Sequence, residues 1–479
     1  MDYNAFALDK TMRALAPASV FLYNTFSSPM ESILLARMRR GDRLSLKEEL
    51  ALIGELSMPV IFAQLSSILM TCIDASMVGH LGEREGAAIG LVASSTWLLY
   101  GLCFACAMGF TVQISHAIGA GKEEEARNLL KVSGIVNAAY ALLLTFVTAA
   151  LAPAVPKWLG GSEAIYTDSY QYFFIFVLSI PVIQFNDLSS GALQASGNMK
   201  IPSVMQILMG ILNIIFNYLF IYVLDMGVKG AAIATFISRF LTTIPLLVFL
   251  FCKSDTLHLR KDEKIAFKKS YFTNALRIGL PTAFEQVIMT GGQVAFTKIV
   301  SPLGQTALSA NSFAITAESL CYMPAYGLGA AATTITGQCY GSGQKEVTWR
   351  FGWLTTIVGI IFMMLSASLM FIFARQMIAF ISPEIAVIEL GSKILRIESF
   401  CEPLYGASII ASGAMRGTGD TFIPSTFNFF SMWMVRIPLA FFLRSKYGLE
   451  GVWMAMSIEL CIRGTLFLIR LAGKKWTRR

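Results

Sequence analysis

Along the chain, apolar residues gather into stretches of twenty or more, separated by short segments where Gly, Pro and charged residues return. A helix rising about 1.5 Å per residue needs roughly 20 such residues to cross a hydrocarbon core. Twelve stretches satisfy this, near 51–79, 87–115, 129–152, 166–190, 201–222, 229–252, 273–301, 307–336, 350–374, 388–413, 422–444 and 449–472. The pattern predicts an all-α polytopic membrane protein. Composition agrees: 55% of the 479 residues are hydrophobic and only 14% charged, against about 25% charged in ordinary soluble domains.

A net charge of +8 is compatible in principle with a nucleic-acid partner, but its placement argues against one. Arg37, Arg39, Arg40, Arg43 and Lys47 precede the first span. Lys253, Arg260, Lys261, Lys264, Lys268 and Lys269 fill the connection between spans six and seven, and Lys474, Lys475, Arg478 and Arg479 end the chain. With twelve spans all three segments share one side, which the excess of Lys and Arg makes cytoplasmic. Both termini are therefore expected inside.

Sliding the chain against itself exposes an internal repeat at the 222 offset. Pro59 meets Pro281, Gln64 meets Gln286, Leu81-Gly82 meets Leu303-Gly304, Tyr100 meets Tyr322 and Thr111 meets Thr333. Pro181 meets Pro403, and "GALQASGNMKIPS" (191–203) meets "GAMRGTGDTFIPS" (413–425). Each repeat holds six spans, so both enter the membrane from the same side. The expected architecture is two six-helix bundles related by a pseudo-two-fold axis along the membrane normal, a parallel-repeat transporter plan. The expected divisions are an N-terminal extension (1–47), an N-lobe (48–252), an inter-lobe connection (253–272), a C-lobe (273–472) and a basic tail (473–479).

Little points to catalysis or a cofactor. The eight cysteines lie within or at the edges of spans, as packing residues, and His80, His116 and His258 lie in or beside loops. "GAGK" (119–122) lacks the earlier glycine of a phosphate-binding loop. The first 46 residues contain Asp2, Asp9 and Glu31 and do not read as a cleavable signal peptide. Residues 20–40 fit either an amphipathic segment on the inner membrane face or a mobile extension.

The spans carry a few polar residues that a bilayer makes costly. In "LNIIFNYLFI" (212–221) Asn213 and Asn217 stand one helical turn apart. Asp74, Asn217 and Thr235 each fall about five or six residues from the outer ends of spans one, five and six, so all lie in the outer half of the first bundle. Amide and hydroxyl oxygens can ligate a sodium ion, and amide donors can stabilise a deprotonated aspartate. The competing reading of the asparagines is hydrogen-bond glue between helices. Glu285, Glu398, Glu402 and Arg436 lie near mid-membrane in the second repeat, where Arg436 is expected to pair with one of these glutamates. At the 222 offset Asp74 meets Phe296, Asn213 meets Val435 and Asn217 meets Leu439, so any cation site is expected to be asymmetric. Pro181 and Pro403 mark expected kinks in spans four and ten, and the many Met and Phe residues suit a permissive binding wall.

The motifs "MPVIFAQLSSILMTCIDASMVGHLG", "AIGAGKEEEAR", "ALQASGNMKIPS", "LNIIFNYLFI", "GQCYGSGQKE" and "GAMRGTGDTFIPS" resemble the multidrug and toxic compound extrusion (MATE) transporters, over nearly all of residues 48–472. The resemblance implies efflux of amphipathic, often cationic small molecules against inward flow of H+ or Na+, with Asp74, Asn213, Asn217 and Thr235 matching the family's N-lobe cation cluster. Some members carry a second aspartate where this chain has Asn217. The sodium-driven branch has acids at the positions of Met289 and Tyr405, so its C-lobe site does not transfer, and Glu285 and Glu402 remain either cavity-facing acids or counter-ions to Arg436. The expected setting is the bacterial inner membrane, as a monomer without cofactor, nucleic acid or metal beyond a possible Na+ at Asp74. A lipid or lipid-linked oligosaccharide flippase of the same superfamily is the nearest alternative; a passive channel and a membrane-embedded enzyme are more distant ones.

Overall fold

The computed structural model describes residues 32–79, 81–260 and 263–478. Residues 1–31 of the extension, His80, Lys261 and Arg479 lie outside that description. Every regular element among the described residues is helical. A short helix α1 (Ile33–Arg39) precedes α2 (Leu46–Gly79), α3 (Glu83–Gly119) and α4 (Glu123–Leu151). The fourth span is split into α5 (Glu163–Leu178) and α6 (Ile180–Ala195), followed by α7 (Lys200–Asn217) and α8 (Gly227–Val248). The second repeat runs through α9 (Lys269–Val300), α10 (Gln305–Gly341), α11 (Lys345–Ile381), α12 (Ile385–Ser399), α13 (Glu402–Gly417), α14 (Phe422–Phe429) and α15 (Ile437–Ala472).

These elements account for the twelve predicted spans, and the departures have local causes. Span four bends by 45° between α5 and α6, where Pro181 in the first turn of α6 removes an amide from the helical ladder. Pro403 occupies the same place in α13, after the break that ends α12. Spans eleven and twelve join in α15 through Gly448, whose φ of 59° is open to glycine at little cost. The connection between the repeats is shorter than expected, because α9 already begins at Lys269. It is pinned to α4: Arg127 and Lys131 hold Glu263 at 2.8 and 3.3 Å, and Asn128 Nδ2 donates to the Ala266 carbonyl at 2.9 Å.

The halves meet along α2 and α3 on one side and α9 and α10 on the other. Their contact obeys the repeat. His116 Nε2 donates to the Gly417 carbonyl at 2.7 Å, and Gln338 Nε2 donates to the Ala195 carbonyl at 2.8 Å. The repeat offset carries His116 onto Gln338 and Ala195 onto Gly417, so the two bonds are one contact made twice in opposite directions. A β-carbon at Gly119 would run into the Gln338 carbonyl oxygen, and one at Gly341 into that of His116. Small residues here let two backbones touch. These contacts and the bond from Gln113 Nε2 to the Tyr271 carbonyl (3.1 Å) all sit toward the basic-loop end. There the bundles are closed on one another.

Where it is described, the amphipathic stretch forms the short helix α1, packed on the protein at its basic-loop end. Leu35 and Met38 of α1 are buried. Ser32 Oγ donates to Glu55 at 2.7 Å, and Gln344 Nε2, in the turn after α10, donates to the Met38 carbonyl at 2.9 Å. Leu35 also fills the space beside Gly197, in the turn after α6. This helix straddles both halves over their closed end.

Candidate functional site

In the first bundle the sequence-predicted residues converge. Asp74 of α2 is half-buried, while Asn213 and Asn217 of α7 are buried. Asn217 Nδ2 donates to Asp74 Oδ1 and also to Asn213 Oδ1, the latter at 3.2 Å. Asn213 Nδ2 in turn donates to Thr235 Oγ1 of α8 at 3.0 Å, whose own proton goes to the Ala231 carbonyl at 3.1 Å. The row thus ends on Asp74 with an amide donor, Asn217 Nδ2, which favours the ionised carboxylate. One acceptor is left over. Asn217 Oδ1 is buried without a hydrogen-bond partner among the described residues.

The local fold explains the aim of these groups. Immediately after Asn217 the helix widens into a π-turn over Tyr218–Val223, which inserts a residue and rotates the chain relative to a regular α-helix. Asn213 and Asn217, one turn apart, share the buried face of α7, and Tyr218, the next residue along, is exposed.

The second bundle places its charges differently from the expectation. Arg436 pairs with Glu459 of α15, at 2.9 Å from Nε and 2.5 Å from Nη2, and with none of Glu285, Glu398 or Glu402. Arg463, one turn after Glu459, approaches the same carboxylate at 3.2 Å. Glu459 is the stronger partner because it offers both oxygens to two guanidinium groups. Glu285 is held elsewhere: Arg416 Nη2 lies 2.6 Å away, and Ser425 Oγ and Asn428 Nδ2 donate at 2.9 and 2.7 Å. Three donors thus engage Glu285, two at Oε1 and one at Oε2. Glu398 accepts from Ser457 Oγ at 2.9 Å. Glu402 is fully buried and neither oxygen has a hydrogen-bond partner among the described residues, with the Cys321 thiol beside it.

Sequence reading missed Glu318, Glu459 and Arg463, which join this C-half cluster. The signal for two of them was present, an acid and a base four residues apart inside an apolar span. It also missed Asp187 of α6, Arg239 of α8 and Tyr100 of α3, single polar groups on three different spans. Arg239 Cζ lies 4.7 Å from the Tyr100 ring centroid.

Comparison with known proteins follows the same twofold division. The MatE family model matches residues 59–219 and again 281–442. The chain is 28% identical over 434 residues to a "Probable multidrug resistance protein NorM" of Thermotoga maritima, covering 89% of this chain and 92% of the relative. It is 25% identical to a protein of the same name from Pasteurella multocida, with 87% and 92% covered. Among solved structures, the crystal structure of a MATE in complex with MaL6 aligns with a TM-score of 0.86 at 22% identity, over 93% of this chain and 99% of that one. An outward-facing multidrug resistance MATE family transporter of the MOP superfamily aligns with a TM-score of 0.85 at 22% identity, over 93% and 100%. These structures share the fold.

Proposed function

The chain belongs to the MatE family, and from that premise we propose that it is a cation-coupled efflux antiporter for amphipathic, mainly cationic small molecules. It acts as a monomer in the inner membrane of a bacterial cell, with both termini cytoplasmic. The observation that carries the reading is Asp74, an acid in a membrane span whose hydrogen-bond network supports its charged form. Beside it the Asn217 carbonyl oxygen stands unused. A proton on Asp74 can donate to that oxygen, and a sodium ion can be held between the two.

The mechanism follows from charge and closure. The bundles are sealed at the basic-loop end, so the intervening space faces the opposite side, outward by the distribution of Lys and Arg. In this state Asp74 meets the external cation. Neutralising it removes the charge that Asn217 now serves, and α2 repacks against α7. A cation drives such a change only through different affinities for the two states. The neutral site disfavours the cationic substrate, which leaves outward. Closing the outer side and opening the basic-loop side then exposes the loaded site to the cell interior.

A flippase for lipid-linked sugars is disfavoured by the second bundle, where Arg436 and Arg463 share Glu459 and lie among the further buried acids Glu318 and Glu398, a cluster that offers little free positive charge to a pyrophosphate. The test is transport in liposomes under an imposed proton or sodium gradient, wild type against Asp74→Asn. The expected result is accumulation of a fluorescent lipophilic cation under one gradient, reduced about a hundredfold in the variant. Equal transport by both proteins discards the role of Asp74.

A further inference from the structure

Asp74 is not alone in the first bundle. Asp187, on α6, makes no salt bridge or hydrogen bond among the described residues, yet its charge interacts with that of Arg239 on the neighbouring α8. Arg239 likewise closes no salt bridge, and its Nε is buried without a hydrogen-bond partner. Its guanidinium stacks over the ring of Tyr100 from α3. Two opposite charges therefore face one another inside the bundle without touching. Such an arrangement costs free energy that direct pairing would recover, and it leaves both groups open to a mobile proton or water.

The depths of these groups form a sequence. Asp74 lies five residues from the outer end of α2, about 8 Å along its axis, and Tyr172 nine residues into α5, about 14 Å. Arg239 and Tyr100 follow at about 18 and 26 Å from the outer ends of α8 and α3. Asp187 lies past the α5–α6 break, eight residues from the inner end of α6. Tyr100 packs edge-on against Phe176, one turn along α5 from Tyr172, at 5.0 Å, and carries the Arg239 guanidinium over its ring; Asp187, Cys103 and Asp74 belong to its surroundings. Tyr100 is thus common to the outer acid and the inner one.

We propose that Asp187 is an inner proton station of the antiporter, exchanging protons with Asp74 through the hydroxyls of Tyr172 and Tyr100, with Arg239 as its counter-charge. This rests on the antiport reading above and adds that the coupling ion is a proton. In each transfer one O–H bond breaks as another forms: a tyrosine accepts the proton from Asp74 while releasing its own toward Asp187, so no other reactant is consumed. The groups facing Asp187 are Arg239 from α8 and Tyr100 and Cys103 from α3. Of these, Arg239 alone carries a standing charge. The repeat offset carries Asp187 onto Ile409, so the station belongs to the first bundle alone.

The experiment uses full-length protein in liposomes with an entrapped pH dye, measuring proton movement on addition of a lipophilic cation, together with substrate binding by fluorescence quenching. Asp187→Asn is expected to bind the cation within about threefold of wild type and to slow coupled proton movement about a hundredfold. Tyr100→Phe, which keeps the ring under Arg239 but removes the hydroxyl, is expected to slow it about tenfold or more. Asp187→Glu is expected to recover transport with a shifted pH profile, which a packing role does not produce. Wild-type rate and pH profile in both Asp187→Asn and Tyr100→Phe overturn the proposal, and so does wild-type transport driven by sodium with no proton movement. Absence of wild-type transport under every gradient overturns the antiport reading itself, and this one with it.

Discussion

The two bundles share one backbone plan and carry opposite electrostatic strategies. In the first, Asp74 is served by neutral donors and retains an unused oxygen beside it. In the second, Glu459 is bound between Arg436 and Arg463, and Glu285 is bound by Arg416, Ser425 and Asn428. The repeat offset makes the difference explicit. Asp74, Asn213 and Asn217 correspond to Phe296, Val435 and Leu439, while Arg436, Glu459 and Arg463 correspond to Ile214, Ile237 and Leu241. Neither half repeats the buried charges of the other. A paired charge holds helices together; an unpaired one can change state. The first half gathers neutral donors round one carboxylate, whereas the second ties most of its buried charges into ion pairs and leaves Glu402 without a hydrogen-bond partner among the described residues.

The largest effect that would break this division is expected at Glu459. Glu459→Gln leaves two buried guanidinium groups without their carboxylate, and a loss of about 3–5 kcal/mol is expected from an uncompensated buried charge. It should appear as a fall in the thermal midpoint of the purified protein, whereas Asn217→Ala should cost about 1–2 kcal/mol and impair transport far more than folding. A midpoint unchanged in Glu459→Gln removes the structural role given to the second bundle.

A smaller effect sharpens the symmetry. Gly119→Ala and Gly341→Ala each push a β-carbon into a carbonyl oxygen across the seam, so each is expected to weaken the closed end by about 1–3 kcal/mol. Spin labels on α3 and α10 near the basic loops should report wider separations in both variants, by similar amounts. Widening in only one shows the seam to be less symmetric than its contacts.

The smallest concerns the connection between halves. The Arg127 guanidinium beside Glu263 holds that carboxyl below the ordinary carboxylate range. A depressed value means that the contact contributes fully above about 4.5, and is lost as pH falls through the lower value of the folded protein. Hydrogen exchange in residues 263–268 is expected to be flat from pH 7 to 5, once corrected for intrinsic rates, and to quicken only at pH below the ordinary carboxylate range. Glu263→Gln should show the faster exchange already at pH 7.

What could be read from the sequence was whatever the bilayer or the duplication imposes. Twelve spans appear because a helix in lipid must be apolar over its length. The Asp74 cluster was legible because Asn213 and Asn217 share a helical face and the polar residues match in depth. Partner choice in the second bundle was not, since Arg436 had Glu285, Glu398, Glu402 and Glu459 available and only three-dimensional packing selects among them. The same holds for Asp187, Arg239 and Tyr100, which lie on three spans and have nothing in common until those spans pack.

The short helix over the seam bears on how the protein is made. Its residues leave the ribosome early, but the Gln344 side chain that binds the Met38 carbonyl follows 306 residues later. At about 5–20 residues per second the wait is roughly 15 s to 1 min. Seating α1 is therefore completed only after α10 has been made; until then it has its contacts to the first half alone, among them Ser32 to Glu55 and Leu35 beside Gly197.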